Sequence, residues 1–270
     1  MKVSVIVTTY NRPDALDKVL AGLQAQSLPL QEVLLADDGS GAATVECAQR
    51  WAARLPFALH HVWHEDAGFR AAAIRNRAAA QASGDYLVFL DGDCIPPADF
   101  VARHAALAEA GRFVSGNRIL FNAALTRRVL AGAADPLQWS WHDWLRARLA
   151  GEVNRLLPLL RLPDGAWRHR VQAQWRGARS CNLALWRSDL RVVNGFDESF
   201  QGWGHEDADL AVRLMRAGVR RKDGRYAAPC LHLWHEEHVR AQEAENRARL
   251  QAVIDGQRPL RAELGMDQYL

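Results

Sequence analysis

Between Val3 and Asp93 short apolar runs alternate with stretches of helical periodicity, and each of three such runs ends in a polar cluster. Residues 3–8 form a β-branched run, and a helix to about residue 26 keeps Leu16, Val19, Leu20 and Leu23 on one face. Strand patterns then occupy residues 32–36, 58–63 and 85–90, with helical patterns over 42–55 and 71–82 between them. Such alternation predicts an α/β fold: a mostly parallel sheet flanked by helices. Ligands of such sheets sit beyond the carboxyl ends of the strands. The clusters at 8–12, 37–40 and 91–93 all fall at that edge.

The pattern changes over 123–179. Trp139, Trp141, Trp144, Trp167 and Trp175 lie among many arginines, with Pro136, Pro158 and Pro163 between them, and the stretch reads as a basic, amphipathic helical insertion. A strand near 182–186, a loop, a helix over 206–217 and a strand before Pro229 follow; after His238 the pattern predicts a polar helix to the C-terminus. One domain over 1–270 is expected, with divisions at 122, 179 and 238.

Composition narrows the classes. Apolar residues make up 49% of 270, enough for a core and too many for a disordered chain. A net charge of +3 makes no case for nucleic acid. Cys47, Cys94, Cys181 and Cys230 are far apart and form no C-x-x-C pair, which suits free thiols in a reducing compartment. The N-terminus runs straight into Val3 with no signal-peptide core, and no stretch has the length of a membrane span. The expected location is cytoplasmic, with the basic segment as the candidate for peripheral contact with the inner membrane face.

Asp91-Gly92-Asp93 sets two carboxylates on a tight turn after a buried strand. A hard divalent ion takes such oxygens and bridges them to a diphosphate, although a solvated Asp-Gly turn would have the same sequence. Asp37-Asp38-Gly39-Ser40 reads either as a turn and helix cap or as a nucleoside contact. Thr8 to Arg12 offers hydroxyls, an aromatic face and a cation. In Phe200 to Leu210 glycines surround Trp203, and the acidic run Glu206-Asp207-Ala208-Asp209 opens a helix. Acids at a helix start are favoured by its dipole, and one of them could also serve as a general base. His232 to His238 lacks the H-E-x-x-H spacing of zinc proteases. One of its imidazoles added to Asp91 and Asp93 would give a mixed oxygen–nitrogen site suited to a manganese-like ion.

The segments VSVIVTTYNRPDAL, LLADDGS and RNRAAAQASGDYLVFLDGDCIP, in this order, resemble the family 2 glycosyltransferases with the nucleotide-sugar-binding GT-A fold. GWGHEDADLAVRLMRAGVRRK is similar to the catalytic segment shared with β-1,4-galactosyltransferases and bacterial polysaccharide polymerases. The resemblance implies a nucleotide-sugar-binding half over 1–122 and an acceptor and catalytic segment over 180–238. It implies that Thr8, Tyr10, Arg12 and Asp38 hold the uridine half of a donor, that Arg75 and Asn76 lie on the donor side, and that Trp203 joins them. Asp91 and Asp93 match the metal–diphosphate motif, Asp93 ranking first as direct ligand. Asp207 matches the catalytic base and Glu206 its acceptor-binding neighbour. His235 matches a metal-ligand histidine, with His232 as the fallback. The implied reaction is inverting transfer of a hexosyl or N-acetylhexosaminyl group from a UDP-sugar, with Mn2+ or Mg2+, to a glycan or glycolipid hydroxyl in bacterial surface-polysaccharide or lipopolysaccharide synthesis. His205 stands where galactosyltransferase-like members often have Gly, so galactose is not implied.

Two other classes remain for comparison. A sugar-nucleotide nucleotidyltransferase would carry a Gly-rich basic loop after the first strand, where this chain has Thr-Thr-Tyr-Asn-Arg-Pro. A non-catalytic nucleotide-sugar-binding module would bind a donor without turning it over.

Overall fold

The computed structural model describes residues 1–236 and 240–270; the His238 end of the histidine motif and the division at 238 lie outside the described residues. The first half follows the expected alternation: β1 (Val3–Thr9), α1 (Pro13–Gln24), β2 (Glu32–Asp37), α2 (Ala42–Ala52), β3 (Ala58–Trp63), α3 (Ala71–Gln81) and β4 (Tyr86–Asp91). Then come β5 (Cys94–Ile95), α4 (Phe100–Leu107), β6 (Arg112–Ser115), β7 (Asn117–Leu120), α5 (Ala123–Leu130) and α6 (Trp141–Leu149). The chain continues through β8 (Asn182–Trp186), α7 (Arg187–Val192), α8 (Glu206–Arg216), β9 (Arg220–Asp223), β10 (Pro229–His232) and α9 (Glu243–Ile254).

The main sheet has seven strands in the order β3-β2-β1-β4-β8-β6-β9. The pairs within β3-β2-β1-β4 are parallel, β8 runs antiparallel to both β4 and β6, and β6 with β9 is parallel again. Alternate residues of each inner strand feed opposite faces. Val5 and Val7 of β1, Val33 and Leu35 of β2 and Val88 of β4 pack with α1, α2 and α4, while Ile6, Leu34, Leu87 and Phe89 pack with α3, α7 and α8. Burial on both faces is why these strands read as nearly continuous apolar runs.

Two departures from the sequence pattern have local causes. α9 ends at Ile254 instead of running to the C-terminus, because Gly256 adopts a left-handed φ of 77° and Pro259 follows. The tail then folds back: Ala262 N–H donates to the Val193 carbonyl at 3.0 Å, and Met266 is buried. The 123–179 segment holds two α-helices, followed between 150 and 180 by two 3-10 segments, Leu157–Leu159 and Ala166–Val171, in a stretch interrupted by Pro158, Pro163, Gly165 and Gly177. Arg168 replaces regular pairing there. Fully buried, it donates to the carbonyls of Leu162, Pro163, Asp223 and Arg225 and lies 4.2 Å over Trp167, which ties the segment to β9.

The second sheet, β5-β10-β7, has no counterpart in the sequence reading. β10 pairs antiparallel with β5, setting His232 opposite Cys94, and parallel with β7, setting His232 opposite Leu120. This small sheet carries the histidine segment to the end of β4.

Candidate functional site

Strand register lines up the polar clusters. Thr8 pairs with Asp91 and Thr9 with Asp37, so the ends of β1, β2 and β4 form one edge. Gly92 closes on β1: its N–H donates to the Thr8 carbonyl at 2.7 Å, and a side chain there would meet that oxygen at 2.9 Å. The start of β8 lies at the same edge, with Asn182 opposite Leu90.

Arg75 joins these elements. Projecting from α3 with 4% exposure, its guanidinium donates to Thr8 Oγ1 at 3.0 Å, Asp91 Oδ1 at 3.2 Å and Glu206 Oε1 at 3.2 Å, and lies 3.8 Å from Asp207 Oδ1. One cation thus serves three carboxylates, and burial is not fully offset. Desolvation pushes Asp91 up to about 6, with Asp93 and Asp207 adding repulsion and Arg75 opposing it. Burial and Asp207 push Glu206 up to about 7, again against Arg75. Glu206 is 7% exposed, whereas the Asp207 side chain retains 24%. Asp207 Oδ1 is buried and has no hydrogen-bond partner.

The loop before α8 is built from left-handed residues: Gly202 at φ 69°, Gly204 at 104° and His205 at 75°. Gly202 N–H donates to the Phe69 carbonyl at 3.0 Å, fixing this loop to the start of α3. His205 therefore pays a backbone cost that the expected glycine would avoid. Arg240 stacks over Trp203 at 4.6 Å.

At the other side of the turn, Asp93 Oδ2 lies 3.6 Å from His232 Nε2 and 3.4 Å from His235 Nε2, and the two rings are 5.3 Å apart. Both expected imidazoles therefore flank Asp93. Burial pushes His232 down to about 4, leaving it neutral and able to act as a ligand near pH 7. Asp93 and these imidazoles make a mixed oxygen–nitrogen donor set of the chemistry that a manganese-type ion takes, while Asp91 clusters with Cys94 and Cys181. Sequence reasoning missed the sulfur beside it. Cys94 Sγ is 3.6 Å from Asp93 Oδ1, ligand atoms of Asp93, Cys94 and His232 lie within 4.8 Å of one another, and so do those of Asp91, Cys94 and Cys181. All four cysteines are free and buried.

At the end of β2, Asp38 is held by His64 Nε2 at 2.6 Å and by the Arg70 N–H at 2.9 Å, partners that the sequence did not reveal. Its carboxyl is raised by burial despite them. Tyr10 is 46% exposed and donates its hydroxyl to Asp66 at 2.8 Å; Arg12 turns to Asp14 at 3.0 Å. Asn76, expected on the donor side with Arg75, packs away from the cleft. It is fully buried and donates to the Phe196 carbonyl at 2.8 Å and Glu198 at 2.9 Å, while its oxygen accepts from Phe196 N–H at 2.8 Å. Adjacent helical residues point about 100° apart, so with Arg75 at the cleft Asn76 faces the core.

Comparison with known proteins agrees with this architecture. The structure matches S. aureus TarS residues 1–349 in complex with UDP (TM-score 0.63, 17% identity, 100% of this chain and 68% of that one). It also matches the mannosyltransferase PcManGT from Pyrobaculum calidifontis in complex with GDP-Man and Mn2+ (TM-score 0.59, 22% identity, 95% and 63%). The fold is that of the GT-A glycosyltransferases. Residues 4–158 match "Glycosyl transferase family 2", and residues 166–236 match "N-terminal domain of galactosyltransferase". The chain belongs to glycosyl transferase family 2. It is 30% identical over 240 residues to validoxylamine A glucosyltransferase of Streptomyces hygroscopicus subsp. jinggangensis, covering 80% of this chain and 52% of that protein. It is 29% identical over 238 residues to hyaluronan synthase of Pasteurella multocida, covering 80% and 23%. The chain thus spans about half the length of the first relative and a quarter of the second.

Proposed function

We propose that this chain catalyses inverting, metal-dependent transfer of a sugar from a UDP-sugar to a hydroxyl of a glycan or glycolipid acceptor, in surface-polysaccharide or lipopolysaccharide synthesis at the cytoplasmic face of the membrane. The observation that carries the proposal is the single guanidinium of Arg75, which ties the Asp91 turn to the Glu206–Asp207 helix start. It fixes the leaving-group end and the proton-accepting end of a transfer site in one frame, and positioning of this kind is a principal source of rate.

Asp91 and Asp93, with His232 or His235, would hold a divalent ion, Mn2+ or Mg2+. That ion supplies positive charge to the departing diphosphate. Asp207 is the base: its carboxylate, 24% exposed at the cleft, accepts the acceptor hydroxyl proton as the acceptor oxygen attacks the anomeric carbon from the face opposite the diphosphate and the bond to the diphosphate breaks. Glu206, nearly buried and hydrogen-bonded to Arg75, holds that cation in place beside Asp207. Thr8, Tyr10, Arg12, Asp38 and Trp203 form the donor side, Tyr10 offering its open ring to the base.

The test is a nucleotide-release assay with manganese across UDP-sugars, with GDP-mannose as the competing arm. Manganese-dependent UDP release that is lost in Asp93→Ala and in Asp207→Asn is the expected result. Transfer that survives in Asp207→Asn would remove the base assignment, and preference for GDP-mannose would remove the uridine reading. Donor binding without release across a broad acceptor panel would favour the binding module.

A further inference from the structure

Beyond the Asp91 turn, on the side away from Tyr10 and Asp38, a cavity of about 390 Å³ lies between β7, the start of β8, β9 and the 171–179 segment. Six arginines line it, Arg118, Arg155, Arg176, Arg179, Arg221 and Arg225, and no Asp or Glu is among its lining residues. Cys181 forms part of the wall, and its Sγ lies within 4.8 Å of an Asp91 carboxylate oxygen. The cavity therefore adjoins the metal end of the site and stands on the opposite flank of the sheet from the nucleoside loops.

This charge is offset from within only in part: Asp91 acts on Arg118 and Asp223 on Arg221 from beyond ion-pair distance. Arg225 pairs with Asp223 at 2.7 Å, and Arg176 stacks on Trp175 at 4.6 Å. Among the described residues no carboxylate lies within ion-pair distance of Arg118, Arg155 or Arg179. Arg221 is 5% exposed; its Nη1 donates to the carbonyls of Gln174 at 3.2 Å and Arg176 at 2.8 Å, while its Nε has no partner. A buried guanidinium with no carboxylate in direct contact is costly unless an anion meets it. Guanidinium forks match phosphoryl oxygens in shape as well as charge. The volume lies at the small end of ligand sites, the size of one sugar unit, and Asn117 and Gln174 on the wall offer amides to its hydroxyls.

We propose that this cavity binds a phosphorylated sugar of the acceptor, so that the enzyme selects an acceptor carrying a phosphoryl group near the hydroxyl to be glycosylated. The inference rests on the transferase reading above, because it takes the donor diphosphate to be held at Asp91 and Asp93.

The test uses the full chain in metal-free buffer at fixed low ionic strength, titrated calorimetrically with glucose 6-phosphate and with glucose. Vesicles containing phosphatidic acid form a third arm. Glucose 6-phosphate should bind and glucose should not. Arg155→Ala/Arg179→Ala, both exposed positions, should weaken that binding at least ~10-fold, the loss expected for charge-assisted contacts. UDP binding in the presence of manganese should be unchanged in the same variant. Absence of glucose 6-phosphate binding while UDP still binds overturns this inference alone, as does binding that the double variant leaves intact. Vesicle binding that glucose 6-phosphate does not compete also overturns it, because the phosphate would then be met on an open surface. Failure of every nucleotide to bind overturns the transferase reading instead.

Discussion

Arg75 and Asp91 meet at 3.2 Å across the carboxyl edge of the sheet, and the same guanidinium reaches Glu206 at 3.2 Å from a helix on the other side of the cleft. Arg75→Ala leaves buried carboxylates without a counter-charge, and should cost about 3–5 kcal/mol. Urea unfolding measures it. Arg75→Lys should recover little, since one ammonium cannot span Thr8, Asp91 and Glu206 together. A loss under ~1 kcal/mol in Arg75→Ala would show that the network is not a buried one.

Glu206 gives the pH dependence of stability. Its folded value of about 7 exceeds its ordinary value of 4.5. The native state therefore binds this proton more tightly than the unfolded chain, and the resulting stability is complete below 4.5 and lost as pH rises to about 7. The difference in Tm between the native sequence and Glu206→Gln should fall across that window and level off above it. A difference that stays constant across the window would contradict the assignment.

His205→Gly should raise stability by about 0.5–1 kcal/mol, because glycine adopts the left-handed φ without the steric cost that a Cβ imposes. Thermal unfolding reads the gain. If Tm falls, the imidazole contributes more than the backbone conformation costs.

Trp141, Leu145 and Leu149 project from one face of α6 and are 58, 50 and 80% exposed, with Arg146 and Arg148 in the same helix. Salt-sensitive binding to anionic vesicles should follow from this arrangement. It should weaken in a Trp141→Ser/Leu145→Ser/Leu149→Ser variant whose Tm is unchanged. Equal vesicle binding by the variant would exclude this face.

The strands β1, β2 and β4 were legible because burial on both faces writes itself as unbroken Val, Ile and Leu runs. The polar clusters were legible because each follows such a run directly. Cys94–Ile95 is too short to leave a periodic trace, and β10 begins at a proline, so the small sheet that sets His232 beside Asp93 could not be read. Asp38's partners, His64 and the Arg70 N–H, come from a loop whose path depends on tertiary contacts. The burial of Asn76 is hidden in the sequence for a different reason. This residue shares a motif with Arg75, yet a helix turns the two side chains to different sides. The arginine cavity draws its walls from segments as far apart as Arg118 and Arg225, and no local pattern announces such a gathering.

The Arg75–Glu206 link closes a span of 131 residues. Contacts so distant along the chain carry a loop-closure cost that local contacts do not. Until they form, the Asp91, Glu206 and Asp207 carboxylates have no shared cation, and the end of β4 and the start of α8 are not held in register. Anything that binds only the assembled edge therefore acts as a folding clamp, slowing the opening of this region and protecting it from proteases as well as entering its chemistry.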